Sequence, residues 1–320
     1  MLNFLRTMSI KNKIKTLSFF PLVFIIGMSF YIDMNLYNKQ SKLVDVKEII
    51  DLNEKISLLL HETQKERGIT SAFLGTKGAK FKDTLITQKE LTNKNIEEFK
   101  KTINKISVEK YPENGKNLID NVLKELSSIQ NIRSDVDSLA IDAKKAIAYY
   151  TDLNATLLSF VALTSTIADS ESTIKSIIAY YNFLMAKERA GIERAVGSNT
   201  FASKTFASGM FVKYLGLVNE QKIFFDAFFM YVGENKTFFN EKINHPVIQE
   251  VQKMRELLLS YGENKDVVLD IDSTIWFDKM TQKIDILKQI DDYLAKNLVI
   301  EIEKKLENEK TIMYFMICIS

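Results

Sequence analysis

Cysteine, proline and glycine are all scarce in this chain. Among 320 residues there are one cysteine, Cys318, three prolines and 11 glycines. Residues 1–317 therefore form no disulfide, and their fold must depend on packing. Few residues carry the large helix penalties of proline and glycine, so the composition favours helices. No segment shows sustained alternation of apolar and polar residues, so we predict an all-α fold without a sheet.

Histidine and a strong overall charge are also lacking. The two histidines lie far apart in the sequence, and there is no recognisable acid–base pair, cysteine nucleophile, phosphate loop or metal-ligand cluster. We therefore predict no enzyme, no metal and no cofactor. The formal net charge is +2, and residues 1–32 contain four basic residues and no acid, which leaves −2 for residues 33–320. This nearly neutral body predicts no nucleic-acid partner.

An uncharged segment follows the basic N-terminus. Residues 16–32 contain no charged side chain, and as a helix they span roughly 26 Å, the short end of what crosses a bilayer. A cleaved signal peptide is the alternative, but no A-x-A-like site follows. We predict a cytoplasmic N-terminus (1–15) and an inner-membrane helix (16–32), with residues from 33 onward outside the cytoplasm.

The last ten residues, 311–320, are also uncharged and follow a charge-rich segment. Ten residues are about half of a membrane crossing. We predict that they begin a second membrane helix that is cut short, together with a cytoplasmic signalling domain beyond it. The alternative is a short apolar tail packed on the domain.

Helical periodicity runs through most of residues 33–310. The first helix is predicted to continue from the membrane to about Leu74. Clusters of Gly, Pro, Asn, Asp or Ser predict breaks at 75–78, 111–115, 134–142, 168–172, 197–203, 233–237 and 261–266. We therefore predict about eight helices in two antiparallel four-helix bundles, with units of about 33–141 and 142–310.

A short repeat suggests that the two units are related. The tripeptide Lys-Glu-Arg occurs at 65–67 and again at 187–189, and Gly75 and Gly197 share the same offset. Each copy is predicted to lie near the C-terminal end of a long helix, so each unit would present one arginine at an equivalent place.

Arginine is rare among the basic residues, with six Arg against 37 Lys. At about 100° per residue, Arg67 aligns with the apolar stripe that contains Ile49, and Arg189 aligns with Ile178 and Met185. Both are predicted to point into the bundle. Hydrogen-bonding side chains lie on the same face of the first helix as Arg67: Thr63, Gln64, Thr70 and Ser71.

An inward guanidinium needs a partner, because an unpaired buried charge is very costly. Glu66 and Glu188 each lie about 100° around the helix from their neighbouring arginine. One possibility is another protein carboxylate, such as Glu193 for Arg189. The other is a small planar oxyanion held by Arg67 and Arg189. Arg194, about 140° from Arg189, is predicted to be a secondary contact.

Three segments resemble the nitrate- and nitrite-sensing (NIT) domain. Residues 59–75 carry its Q-x-E-R-G signature, residues 149–154 look like its tyrosine–asparagine segment, and residues 185–197 look like its E-R-A motif. The resemblance implies two four-helix bundles and a nitrate or nitrite response that depends on one arginine in each motif. By position these arginines are Arg67 and Arg189.

The function implied is a membrane-bound sensor. Residues 33–310 would bind nitrate or nitrite in the periplasm or outside the cell and pass a signal through the membrane, as a homodimer with a chemotaxis output. The alternatives are a helical sensor for another small ligand or a binding-protein partner, and an input domain of a histidine kinase or a diguanylate cyclase. A purely structural bundle would require a protein carboxylate beside each inward arginine.

Overall fold

A computed structural model describes residues 9–106, 113–168 and 170–319, and over these ranges the chain is all-α. The predicted fold class is confirmed. The elements in order are α1 (Ile10–Gly75), α2 (Lys82–Ile103), α3 (Glu113–Ser127), α4 (Ile129–Asp137), α5 (Ala143–Thr164), α6 (Glu171–Ser203), α7 (Met210–Tyr231), a 3₁₀ turn (Gly233–Asn235), α8 (Lys236–Ile243), α9 (Pro246–Glu263) and α10 (Ser273–Ile319).

Most helix ends lie where the turn residues predict them. α1 ends at Gly75, and α5 begins after Asp142, whose side chain accepts a hydrogen bond from the backbone N–H of Lys145. The predicted break at 111–115 lies partly outside the described residues. The prediction of a break beginning at Gly197 is wrong, because α6 continues to Ser203. Gly197 is needed there for close packing, since the Trp276 indole occupies the position of its missing side chain.

Within the residues that the structure describes, two helices are long and apolar enough to cross a membrane, α1 and α5. Half of the most apolar 18-residue segment of α5 is buried inside the bundle, as expected for a core helix. None of the corresponding segment of α1 is buried. Phe20 and Phe24 in α1, for example, are 68% and 69% exposed. The apolar segment of α1 therefore has no packing partner within the described chain.

One apolar core is formed by α1, α2, α3 and α5. Its side chains are Leu52, Ile56, Phe99, Ile103, Ile119, Val122, Leu157 and Phe160. Burial of large apolar side chains is the main stabilising contribution in such a bundle. α5 therefore packs against α1, α2 and α3 in this core, and it also contacts α6. The division into units of about 33–141 and 142–310 stays a prediction.

A second core, rich in aromatic side chains, joins α6, α7, α8 and α10. Phe183 and Phe228 pack at 5.4 Å between ring centroids, and Phe228 and Phe239 at 5.5 Å. Phe238 stacks on Tyr293 at 3.9 Å. Such ring pairs add to the stabilisation from burial alone.

Residues 9–47, which include the first part of α1, and residues 300–319 of α10 form a separate compact unit. Within it, Lys39 and Glu309 are 2.5 Å apart, and Lys47 and Glu303 are 3.5 Å apart. These ion pairs join the two helices on their charged faces.

Candidate anion-binding site between α1 and α6

Two glycines allow α1 and α6 to approach closely and bring two arginines together. A Cβ atom on Gly68 of α1 would lie 2.7 Å from Nη2 of Arg194. A Cβ atom on Gly191 of α6 would lie 2.8 Å from Nη2 of Arg67. Each guanidinium therefore lies against the backbone of the opposite helix, in space that only glycine leaves open.

Arg67 is fully buried and is bound by a carboxylate. Its Nη1 donates to Oε1 of Glu188 at 2.5 Å and to the Thr151 hydroxyl at 3.2 Å, and its Nη2 donates to Oε2 of Glu188 at 3.2 Å. Glu188 also accepts hydrogen bonds from the amides of Gln64, at 2.7 Å, and Asn154, at 3.3 Å. Fork-to-carboxylate pairs of this kind are among the stronger hydrogen-bonded contacts in proteins.

Arg194 is equally buried but has only neutral hydrogen-bond partners among the described residues. Nη1 donates to the Thr281 hydroxyl at 2.9 Å, and Nη2 donates to the backbone carbonyl of Gln64 at 3.0 Å. The guanidinium also lies 5.0 Å from the centre of the Phe277 ring. Burial, followed by the positive charge of Arg67, lowers the pKa of Arg194 to about 10.

The arginine pair has one carboxylate at hydrogen-bonding distance. Arg67 and Arg194 contribute two positive charges, and Glu188 contributes one negative charge. Farther out, Lys65 lies 3.9 Å from Glu62, and the carboxyl of Asp285, whose pKa is raised by burial, interacts with Arg194 at longer range. Arg194 is therefore the guanidinium of the pair that has no carboxylate in contact within the described chain, and an anion bound there would supply one.

Several buried polar atoms have no hydrogen-bond partner within the described part of the chain. Five of them are on α1 and α6 near the two arginines in sequence: Nε of Arg67, Nε of Arg194, the hydroxyls of Ser71 and Ser198, and Oε1 of Gln64. An unsatisfied buried polar group costs about 1–3 kcal/mol. Four of these five atoms are hydrogen-bond donors, which suits an anion with several acceptor oxygens.

A groove leads from solvent to Arg194. It has a volume of about 520 Å³ and is lined by Lys65, Ile69, Asp83, Thr84, Thr87, Gln88, Leu91, Arg194, Phe277 and Thr281. A second, much smaller cavity of about 10 Å³ lies between Ser71 and Ser198. Its size is close to that of one water molecule.

Two buried ion pairs match each other closely. Arg133 donates from Nε and Nη2 to the two oxygens of Glu66 at 2.7 and 2.8 Å. Arg255 donates from the same two atoms to Glu193 at 2.7 and 2.8 Å. A tyrosine hydroxyl completes each pair, from Tyr150 to Glu66 and from Tyr214 to Glu193.

These pairs give the repeat a different register from the one predicted. Glu66-Arg67 of α1 corresponds to Glu193-Arg194 of α6, not to Glu188-Arg189. The two copies of Lys-Glu-Arg, at 65–67 and 187–189, are therefore identical in sequence but are not structurally equivalent. A displacement of five residues rotates a helical position by about 140°.

The predicted arrangement of Arg67 and Arg189 is wrong. Arg189 is partly exposed, donates to Glu220 on α7 and lies 5.2 Å from the centre of the Phe224 ring. Within the described residues it shares no hydrogen-bond partner with Arg67, and each of the two arginines binds a protein carboxylate, which was one of the two possibilities left open by the sequence. Glu188 points inward, and Glu193, considered as the partner of Arg189, binds Arg255.

The predicted secondary contacts are distributed around Arg67. Gln64 and Ser71 have unsatisfied atoms beside the arginine pair, and Arg194 is one of the two central residues. Thr63 donates to Asn154 at 2.6 Å, so it supports a residue that holds Glu188. Thr70 lies beside the Tyr150 phenol. The sequence did not indicate Glu188, Thr151 or Thr281; the second Glu-Arg pair at 193–194 was the available signal for Arg194.

Comparisons with known proteins agree with this architecture. A family model described as nitrate and nitrite sensing matches residues 58–299. The nitrate regulatory protein of Klebsiella oxytoca is 24% identical over 187 residues, which are 58% of this chain and 46% of that protein. The chain thus spans about half the length of this curated relative.

A solved structure shows the same fold. The structure of the NasR transcription antiterminator matches with a TM-score of 0.77 and 20% sequence identity, over 91% of this chain and 78% of the other. At this identity the likeness concerns the fold alone. The family model covers more than half of the chain, so the chain belongs to the nitrate and nitrite sensing (NIT) family.

Proposed function

We propose that this chain is a non-enzymatic nitrate or nitrite sensor that binds the anion between α1 and α6, at Arg67 and Arg194. The buried arginine pair with one carboxylate is the observation that carries the proposal. A planar oxyanion with one negative charge would give the buried guanidinium of Arg194 a charged partner in contact, which it lacks among the described residues. It would also accept hydrogen bonds from the unsatisfied Nε groups of both arginines.

The groove gives the anion a route from solvent to Arg194. Its lining carries positive charge on Lys65 and Arg194 and negative charge on Asp83, and the hydroxyls of Thr84, Thr87 and Thr281 contribute hydrogen-bonding groups. Arg189 has no role in this proposal, because it lies on the side of α6 that faces Glu220 and Phe224.

The proposal includes a membrane anchor. Residues 16–32 of α1 would cross the inner membrane, with residues 33–310 outside the cytoplasm and residue 311 beginning a second crossing. The unburied apolar segment of α1 and the basic residues before it support this arrangement.

Topology can be tested with single cysteines in a Cys318→Ser background. Lys77→Cys is expected to react with a membrane-impermeant maleimide in spheroplasts, and Lys11→Cys is expected to react only after lysis. Labelling of both positions before lysis would contradict the anchor.

Ligand binding in this arrangement acts on the helix that contains the membrane segment. α1 is uninterrupted from Ile10 to Gly75, so Arg67 and residues 16–32 belong to one helix. An anion shifts a conformational equilibrium by its difference in affinity for the two states, typically about 1–3 kcal/mol.

The homodimer and the missing signalling domain stay predictions. The relatives above are named for nitrate regulation and transcription antitermination. They give no support to a chemotaxis output, and the predicted lack of a nucleic-acid partner likewise rests on the charge of this chain alone.

Calorimetry on the full chain in lipid nanodiscs tests the ligand. Sodium nitrate and sodium nitrite are expected to release or absorb heat in a saturable way and to raise the unfolding temperature, while sodium chloride at the same ionic strength does neither. Absence of both effects with millimolar nitrate and nitrite would contradict the proposal.

A further inference from the structure

The side chain of Glu188 occupies the place on Arg67 that an oxyanion would take. Its carboxylate is planar, carries one negative charge and faces the guanidinium with both oxygens, at 2.5 and 3.2 Å. These are the properties by which Arg67 would recognise nitrate or nitrite. Gln64 and Asn154 hold the same carboxylate from the other side.

The pairing is not a general requirement of this fold, because the related arginine lacks it. In the register that matches Arg67 with Arg194, Glu188 corresponds to His61. His61 is buried, and burial together with the charge of Lys187 lowers its pKa to about 2, so it is neutral at physiological pH. Arg194 thus remains buried without a carboxylate in contact, whereas Arg67 has one.

We infer that Glu188 is an internal competitor for the anion, and that ligand binding exchanges the Arg67–Glu188 pair for an Arg67–anion pair. This inference rests on the proposed function. It assigns to Glu188 the control of affinity, because the free energy of the internal pair is subtracted from that of binding. It also links the ligand to the α1–α6 contact, since Glu188 is on α6 and Arg67 on α1.

A charge-conserving substitution separates competition from simple electrostatics. Glu188→Asp keeps the negative charge but shortens the side chain by one methylene, so its carboxylate reaches Arg67 poorly. Competition predicts that nitrate binds about tenfold more tightly, the usual scale for losing one charge-assisted pair. A purely electrostatic role predicts no tighter binding. Glu188→Gln, which removes the charge, is expected to bind at least as tightly as Glu188→Asp.

The matched control is Glu193→Asp. It is the same change on the same helix at another buried glutamate, one that binds Arg255 instead of Arg67. Its nitrate affinity is expected to equal that of the unmodified chain. Circular dichroism verifies that Glu188→Asp folds. If it does not fold, Asn154→Ala replaces it, because this change removes a hydrogen bond to Glu188 without altering any charge. Asn154→Ala is expected to bind nitrate severalfold more tightly than the unmodified chain.

The experiment is nitrate calorimetry on the full chain in nanodiscs. If the unmodified chain binds nitrate and neither Glu188→Asp nor Asn154→Ala binds it more tightly, the inference is overturned and the proposed function stands. Tighter binding by the Glu188 variants with an unchanged Glu193→Asp supports it. If neither the unmodified chain nor any variant binds, the proposed function and this inference fail together.

Discussion

Arg255 clasps Glu193 through the same two nitrogen atoms, and at the same two distances of 2.7 and 2.8 Å, by which Arg133 clasps Glu66. In both places the carboxylate is fully buried. Removing one member of a buried pair leaves the other charge without compensation, which typically costs about 3–5 kcal/mol.

Glu193→Ala is therefore expected to lower the free energy of unfolding by roughly 3 kcal/mol or more. Chemical denaturation of the full chain in micelles measures it. Glu256→Ala is the control, because Glu256 directly follows Arg255 on α9 and is exposed. This change is expected to alter the free energy of unfolding by no more than about 0.5 kcal/mol. Equal stability of both variants would show that the pair contributes little.

Acid is expected to destabilise the fold through two buried carboxylates. Burial raises the pKa of Glu193, but Arg255 and Lys283 more than offset it and bring the pKa to about 2. For Asp291, burial is likewise outweighed by Lys187 and Lys288, and the pKa is again about 2. Both values lie below those of the unfolded chain, so the stabilisation is complete above about pH 5 and is lost as the pH falls toward 2.

Denaturation midpoints at pH 7, 4 and 3 test this dependence. The unmodified chain is expected to lose stability between pH 5 and 3, and Glu193→Gln to show a shallower loss from a lower starting value. Identical slopes for the two chains would mean that Glu193 does not contribute to the acid sensitivity.

Gly197 is expected to tolerate no side chain. A Cβ atom there would lie 2.4 Å from the Trp276 indole, which is fully buried and donates from Nε1 to the backbone carbonyl of Arg194 at 3.0 Å. Gly197→Ala should therefore separate α6 from α10 and cost about 1–3 kcal/mol, as overpacking does elsewhere.

The matched control is Gly216→Ala on α7, where an added Cβ meets nothing within 4 Å. Because alanine is the better helix former, this change is expected to stabilise the chain by up to about 1 kcal/mol. Thermal melts should show a lower unfolding temperature for Gly197→Ala and an equal or higher one for Gly216→Ala, each relative to the unmodified chain. A Gly197→Ala chain as stable as Gly216→Ala would exclude the close packing.

The register of the repeat decides which second arginine binds the anion. Arg194→Gln is expected to weaken nitrate binding by about tenfold or more, because it removes a charged donor from the site. Arg189→Gln is expected to leave the affinity within about twofold, because it breaks only a partly exposed pair with Glu220. Calorimetry on both variants, with melts to verify folding, distinguishes the two registers.

Helical periodicity and turn residues were sufficient for most of the fold. They indicated one continuous helix up to Gly75 and the interruptions after it, because local preference and packing agree there. Gly197 failed as a helix end because its role is tertiary: it gives room to a tryptophan almost eighty residues later in the chain. The residues that neighbour Gly197 in the sequence do not indicate such a contact.

The inward direction of Arg67 was also predictable, because α1 buries one clear stripe around it. α6 is different: it is buried on almost every side between Phe183 and Phe201. The apolar stripe of Ile178 and Met185, used to place Arg189, is in fact its least buried side. A helical wheel cannot indicate one interior direction for a helix that is surrounded, and this is why Glu188 and Arg194 were misplaced.

The two Glu-Arg motifs each supply one arginine, Arg67 from α1 and Arg194 from α6, and each has a buried glutamate bound by a further arginine. A shorter ancestor with a single half could have assembled the same pocket by pairing two identical chains. Duplication of such a gene would have freed each copy to diverge, and the difference between His61 and Glu188 at equivalent positions is an asymmetry that two identical chains cannot have.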